Sequence, residues 1–181
     1  GNLLLNADFE TGDLTSWSTF GQGWRTGTGG DAYEGIFGAV CDVLTNDVDE
    51  WRGLYQNVAV VSGETYSVGA WLRAVALESS TSWLEIQWFD SMGGLISQTQ
   101  SVHITADQGY TWTTLEGLVA PNAAVTASVR AIVNMGSQPV EGADFHTIDD
   151  FQFDTVIPEP GTLVLCGIGL YILIHRRRAN R

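Results

Sequence analysis

Tyr66-Ser67-Val68-Gly69-Ala70-Trp71-Leu72-Arg73-Ala74 is the stretch that decides the fold class. Its side chains alternate, with Tyr66, Val68, Ala70, Leu72 and Ala74 on one face and Ser67, Gly69, Trp71 and Arg73 on the other. A period of two with one apolar face marks a half-buried strand. The pattern returns in Val125, Ala127, Val129, Ala131 and Val133 against Thr126, Ser128, Arg130 and Asn134. It returns again in Leu84, Ile86 and Trp88 against Trp83, Glu85 and Gln87. Turn-forming clusters separate these runs: Ser62-Gly63-Glu64, Met92-Gly93-Gly94, Asp107-Gln108-Gly109 and Pro121-Asn122. Helical periodicity is scarce before residue 157. Many short strands, each with one apolar face, predict an all-β, two-layer antiparallel β-sandwich. Residues 1–156 are of a size for one domain with one core.

The charge is lopsided. Twenty of the 21 acidic residues precede Pro158, opposed there only by Arg25, Arg52, Arg73 and Arg130, and the chain has no lysine. Nucleic acid is excluded as a partner, because affinity for it comes largely from Lys and Arg on phosphates. An anionic lipid surface is excluded for the same reason. Divalent cations and neutral or cationic ligands remain compatible. The run Asn46-Asp47-Val48-Asp49-Glu50 lacks the spacing and glycine of a twelve-residue calcium loop and reads as a solvated loop. Of the two cysteines, Cys41 lies in the alternating Gly38–Val43 run and Cys166 near the C-terminus, so no disulfide can form within residues 1–156. Cys41 reads as a small buried hydrophobe.

Residues 157–181 have a different composition. Thr162 to Ile174 carry no charge, and His175 and Arg176-Arg177-Arg178 follow, with Arg181 last. These features predict a single short hydrophobic helix. Thirteen helical residues rise about 20 Å, less than the roughly 30 Å hydrocarbon layer, so snorkelling or local thinning must cover the difference. The arginines would hold that end in the cytoplasm and set residues 1–156 on the far side. Pro158-Glu159-Pro160, the apolar run and the cluster Arg176, Arg177, Arg178, in that order, resemble the PEP-CTERM sorting signal of Gram-negative bacteria. That resemblance implies processing by an exosortase-type membrane peptidase, transient anchoring in the inner membrane, and delivery to the cell surface or the extracellular matrix of a biofilm. It also implies a leader removed ahead of Gly1.

A second resemblance covers most of residues 2–154. Asn2-Leu3-Leu4-Leu5-Asn6-Ala7-Asp8-Phe9-Glu10-Thr11-Gly12 with Ser16-Trp17 resembles the opening of galactose-binding-like jelly rolls and of carbohydrate-binding modules attached to xylanases and glucanases. Tyr66–Ala74, Phe89-Asp90 with Gly93-Gly94, Tyr110–Leu115 and Phe145–Phe153 resemble later pieces in the family's order. The resemblance implies a jelly roll with a structural calcium tying the first strand to the last. Glu10 and Asp149 occupy the matching positions, Asp31 could complete the site, and Asp150 is the alternative if register differs. Glu10 and Asp149 could instead cap turns by accepting backbone N–H bonds.

Sugar binding needs aromatic platforms beside planar polar groups. On faces opposite the core, Trp71 and Arg73 on one strand and Trp83, Glu85 and Gln87 on another are the candidates for lining a concave sheet, with Trp51 and Tyr55 at a neighbouring edge. Trp17, Trp88 and Trp112 read as packing residues. Catalysis has little support: His103 and His146 fall in no metal or nucleophile–base spacing, and Glu85 and Asp90 have opposite strand parity. The expectation is a non-catalytic exported protein binding exopolysaccharide or another glycan. The alternative is a structural protein that forms homo-oligomers as a coat, filament or biofilm matrix without binding glycan.

Overall fold

The computed structural model describes residues 1–45, 47, 50–136 and 143–156. Ten strands follow in order: β1 (Ser18–Phe20), β2 (Trp24–Thr28), β3 (Phe37–Leu44), β4 (Trp51–Ala59), β5 (Thr65–Val75), β6 (Thr81–Phe89), β7 (Leu95–Gln100), β8 (Gln108–Val119), β9 (Thr126–Asn134) and β10 (Ala143–Thr155). They pair antiparallel into two five-stranded sheets, β1-β4-β9-β6-β7 (sheet A) and β2-β3-β10-β5-β8 (sheet B). The helix expected in residues 157–181, the boundary at 157 and the sorting signal lie outside the described residues. Among the described residues no helix is long and apolar enough to cross a membrane.

Alternation explains the core. Tyr66, Val68, Ala70, Leu72 and Ala74 of β5 meet Leu84, Ile86 and Trp88 of β6 and Ala127, Val129 and Ala131 of β9 in one cluster between the sheets. Val125, assigned to that face by pattern, instead precedes β9 and is exposed. Trp17 packs between Phe9 and Phe151, with ring centroids at 5.5 and 4.9 Å. Its indole Nε1–H donates to Asn6 O at 2.9 Å, while Asn6 Nδ2 reaches Asp13 O and Thr15 O. Asn6 thus ties together the N-terminal segment, whose Leu4, Phe9 and Trp17 join the core cluster. Asn2 ties that segment to β10, donating to Phe151 O and accepting from Phe153 N–H.

Two buried polar networks organise the interior beside the apolar core. Arg52 is buried, and its Nη1 donates to Asp42 O at 2.8 Å and Asp47 Oδ2 at 2.9 Å. Asp47 therefore anchors a buried cation rather than sitting in a solvated loop. Its sequence neighbours Asn46, Val48 and Asp49 are outside the described residues. Cys41 is buried as expected, and burial pushes its thiol up to about 12. Between the β5–β6 connection and β10, Asp144 accepts the backbone N–H groups of Glu78, Ser79 and Ser80 and the Ser80 hydroxyl. Ser80 Oγ lies 2.8 Å from His146 Nε2, and Ser82 Oγ lies 2.8 Å from Nδ1. The single Ser80 proton goes to Asp144, so His146 donates from Nε2 and accepts from Ser82 at Nδ1, a neutral imidazole. Ser, His and Asp meet here, but all are buried with no exposed face for a substrate.

Candidate functional site

Sheet A turns outward the residues that its core alternation excludes. Register aligns them in rows across the strands. One row runs Phe20, Gly53, Ile132, Trp83 and the next Ser18, Tyr55, Arg130, Glu85, Gln100. Phe20, Ile132, Tyr55, Arg130, Glu85 and Gln100 of these rows line a groove spanning all five strands. It widens into two adjoining depressions of about 570 and 290 Å³ that share Phe20 and Arg130. Four inter-strand gaps make the groove roughly 19 Å long.

Aromatic surface stands along one flank. Trp51 is 52% exposed and Phe20 37%. Phe20 lies across the backbone of Gly53, where an added Cβ would meet its ring at 2.1 Å, so only glycine permits the ring to lie flat against β4. Tyr55 packs against Phe20 with centroids 6.2 Å apart. Trp83, although on the outward face, is 3% exposed. His103 stacks on it at 4.0 Å and Trp51 meets its edge at 5.8 Å. Trp83 supports Trp51 and does not itself offer a ring face.

Polar groups face the aromatics. Glu85 accepts from Gln87 Nε2 at 2.7 Å through Oε1 and from Gln100 Nε2 at 2.8 Å through Oε2. Both amides are thereby oriented. Arg130 stacks its guanidinium over Tyr55 at 5.3 Å and donates from Nε to Ser128 Oγ at 3.0 Å. Burial lowers its pKa, with Glu85 and Tyr55 opposing that shift. Arg25, Arg52 and Arg73 each lie within 4.0 Å of a carboxylate, whereas Arg130 makes no such ion pair among the described residues. Its terminal nitrogens are left as donors for a ligand.

Trp71 and Arg73 lie elsewhere. β5 belongs to sheet B, so their outward face is on the opposite side of the molecule from Trp83, Glu85 and Gln87. There Tyr33 stacks on Trp71 at 3.9 Å and Trp112 leans against it at 5.6 Å. Arg73 donates to Gly30 O at 2.6 Å. The expectation that all five residues share one concave face is therefore wrong for Trp71 and Arg73, which clamp the 29–35 loop onto sheet B. Trp112, expected to fill the sandwich, is part of that outer clamp, while Trp17 and Trp88 do pack the core. Trp51 does sit beside Trp83, and Tyr55 lies on the same outer face of sheet A, beside Phe20 and Arg130. Phe20, Arg130, Gln98 and Gln100 were missed as site residues. Arg130 was visible on the polar face of its strand, but its place between Tyr55 and Glu85 depends on pairing.

The acidic residues also divide. Glu10 Oε1 accepts the N–H groups of Ile36 and Phe37, both at 2.8 Å. Asp149 accepts from Tyr33 and Glu34 at Oδ2 and from Asp150 at Oδ1. Asp149 pairs with Trp71 and so shares the outer face on which Tyr33 sits, while the register shift between Asp149 and Gln152, with Asp150 at φ 54°, returns Phe151 and Phe153 to the core. Glu10 and Asp149 do meet, lining a hollow of about 180 Å³ with Asp8, Glu34, Gly35 and Asp150. Burial pushes Asp149 up to about 6, and burial with the neighbouring Glu34 and Asp8 raises Asp150. Asp31 does not join them: it lies between Arg25 at 3.7 Å and Arg73 at 3.6 Å. Among the described residues no group of three or more His, Cys, Asp or Glu side chains is arranged to hold a metal ion.

A family model described as a carbohydrate binding domain matches residues 1–140. No curated protein matches the chain. Among solved structures, the enzymatically active domain of tailspike protein 4 from bacteriophage CBA120 is 15% identical with a TM-score of 0.68, covering 86% of this chain. The present chain spans 21% of that one's length. TmCBM61, solved with beta-1,4-galactotriose, is 19% identical with a TM-score of 0.62, covering 86% of this chain and 99% of its own. The CBM22-2 xylan-binding domain of Paenibacillus barcinonensis Xyn10C is 15% identical with a TM-score of 0.61, covering 83% and 98%. At these identities the likeness establishes a shared fold.

Proposed function

The chain belongs to the carbohydrate-binding domain family, and from that premise we propose that it binds an internal segment of a polysaccharide along the outer groove of sheet A. The observation carrying this reading is the meeting of exposed Trp51 and Phe20 with Arg130, Glu85 and Gln87 in one open channel across five strands. Aromatic faces suit the C–H faces of sugars, while the guanidinium and oriented amides suit hydroxyls. An open-ended groove favours the middle of a chain over a terminal sugar. The role proposed is binding without catalysis, since the one Ser–His–Asp grouping seen is sealed inside the sandwich. A glycan array probed with the full chain in mild detergent tests it; silence across β-linked polysaccharides and their oligosaccharides would sink it.

Within this reading Trp71→Ala leaves glycan affinity unchanged, because Trp71 faces away from the groove. The same substitution lowers stability by about 2–3 kcal/mol through lost contact with Tyr33 and Trp112. Parallel titration and melting curves check both halves.

We further propose calcium at the Glu10–Asp149 hollow. Supporting it are an oxygen-only donor set and the absence of Arg or Lys from its lining. Glu10 and Asp149 would hold the ion together with backbone carbonyls, fastening the 29–37 loop to β10. Chelation at pH 7 is expected to lower the melting temperature. The effect should vanish below pH 5, where Asp149, whose carboxyl titrates near 6, holds a proton. A melting curve indifferent to chelator at pH 7 excludes the ion. For residues 157–181 the proposal is exosortase-type sorting to the cell surface, tested by loss of a processing step when Pro158-Glu159-Pro160 is replaced by alanines.

A further inference from the structure

The sandwich has four edge strands: β1 and β7 in sheet A, β2 and β8 in sheet B. An exposed edge is a template for another strand unless it is short, charged or bulged. Three of the four edges are blunted in one of these ways. β1 has three residues. β2 has five and carries Arg25, held by Asp42 at 2.6 Å. β8 is long, but its register against β5 slips twice, Gly117 turns to φ 65°, and Glu116 projects from it.

β7 lacks all of these devices along Ser97–Gln100, the one irregularity of its ladder with β6 lying at the Leu95 end. Every residue of the strand is exposed. From Leu95 to Val102 there is no charged residue, proline or glycine, in a chain whose formal net charge is −13. Leu95, Ile96 and Val102 present apolar side chains beside it, Val102 at 85% exposure. An uncharged strip with free backbone groups offers a charged partner nothing to pair with. It is also the strip along which two copies of so acidic a chain can approach with the least repulsion.

We propose that β7 pairs antiparallel with β7 of a second copy, joining two A sheets into one sheet of ten strands. A two-fold axis at Gln98 sets Gln98 of one copy opposite Gln98 of the other, and Gln100 opposite Ile96, with side chains of each pair on the same face. The outer faces of both A sheets then point the same way. Because Gln98 and Gln100 form the groove's end at this edge, the two grooves run into one of roughly 43 Å, given nine inter-strand gaps. This consequence rests on the glycan reading; the pairing itself does not.

Sedimentation velocity of the full chain in mild detergent, across a dilution series, provides the test. The unaltered chain is expected to sediment at twice the monomer mass. Thr99→Lys, which adds a charge at an exposed edge position, is expected to weaken dimerisation about tenfold or more, with melting temperature unchanged. Gln98→Pro removes an N–H that points away from β6 and would pair across the two-fold, and is expected to act likewise, while Thr19→Lys on the β1 edge leaves the dimer intact. An unaltered chain that stays monomeric throughout overturns the proposal. So does a dimer that survives both β7 substitutions, or one dispersed only by Thr19→Lys, since another surface or residues 157–181 would then hold the copies together.

Discussion

Replacing Arg130 with methionine is expected to weaken glycan affinity by about 10–100-fold while leaving the fold intact. Methionine keeps the length and apolar contact of the arginine stem but removes the guanidinium. That group sits at the meeting point of both depressions, stacked on Tyr55 and opposite Glu85 in the ladder. Its Nε bond to Ser128 fixes the fork, so ordering it for a ligand costs little side-chain entropy. A charge-assisted hydrogen bond contributes about 1.5–3 kcal/mol, which sets the expected range. The fold should change by less than about 1 kcal/mol, because Glu85 keeps both glutamine donors and Arg130 forms no ion pair among the described residues. Calorimetric titration with the glycan that the array identifies, beside a melting curve, checks it. An affinity within twofold of the unaltered chain, with the fold preserved, removes Arg130 from the site. Trp51→Ala acts through stacking instead, and is expected to cost roughly tenfold.

The contrast between Arg130 and Trp71 shows where sequence reading stops. Alternation assigned Tyr66–Ala74 its core face correctly at every position, because burial of one face is a property of the strand alone. It equally placed Trp71 and Trp83 on faces opposite the core. Which sheet a strand joins is set by pairing at long range, and no period along the chain encodes that. Two strands with the same pattern thus ended on opposite sides of the molecule. Phe20 illustrates a different gap: β1 is too short to show any period, and its ring is positioned by Gly53 across the sheet. Glu10 and Asp149 were brought together as the family resemblance implied. The partners they use, loop N–H groups at Ile36–Phe37 and Tyr33–Glu34, depend on how that loop folds back over sheet B, which no period along the chain encodes.

The second large effect concerns stability and its pH dependence. Asp144→Ala strips one acceptor from three consecutive backbone N–H groups and from Ser80 at once. Stranding buried donors in this way costs about 3–5 kcal/mol, or roughly 10 °C in melting temperature for a domain this size. The same network makes the fold sensitive to acid. Burial holds His146 down to about 4, against 6.5 when free. Between those values the unfolded chain takes up a proton that the folded one refuses. The stability His146 contributes is therefore fully present above pH 6.5 and is lost as pH falls toward 4, by about 3 kcal/mol at most. Asp149 works in the opposite sense. Its folded value near 6 lies above the free 3.8, so its contribution is fully present below 3.8 and lost as pH rises through 6. In chelator the two slopes oppose each other between pH 4 and 6, and the unaltered chain should show a shallow profile there. His146→Gln removes one of them. Its stability, though lower throughout, should rise as pH falls from 6.5 toward 4, because only the Asp149 slope remains. Asp149→Asn should do the reverse and leave a steep acid loss. Chemical denaturation at several pH values reads the slopes directly. If both variants keep the parent's profile, the titrating groups lie elsewhere and the buried imidazole is not what acid attacks.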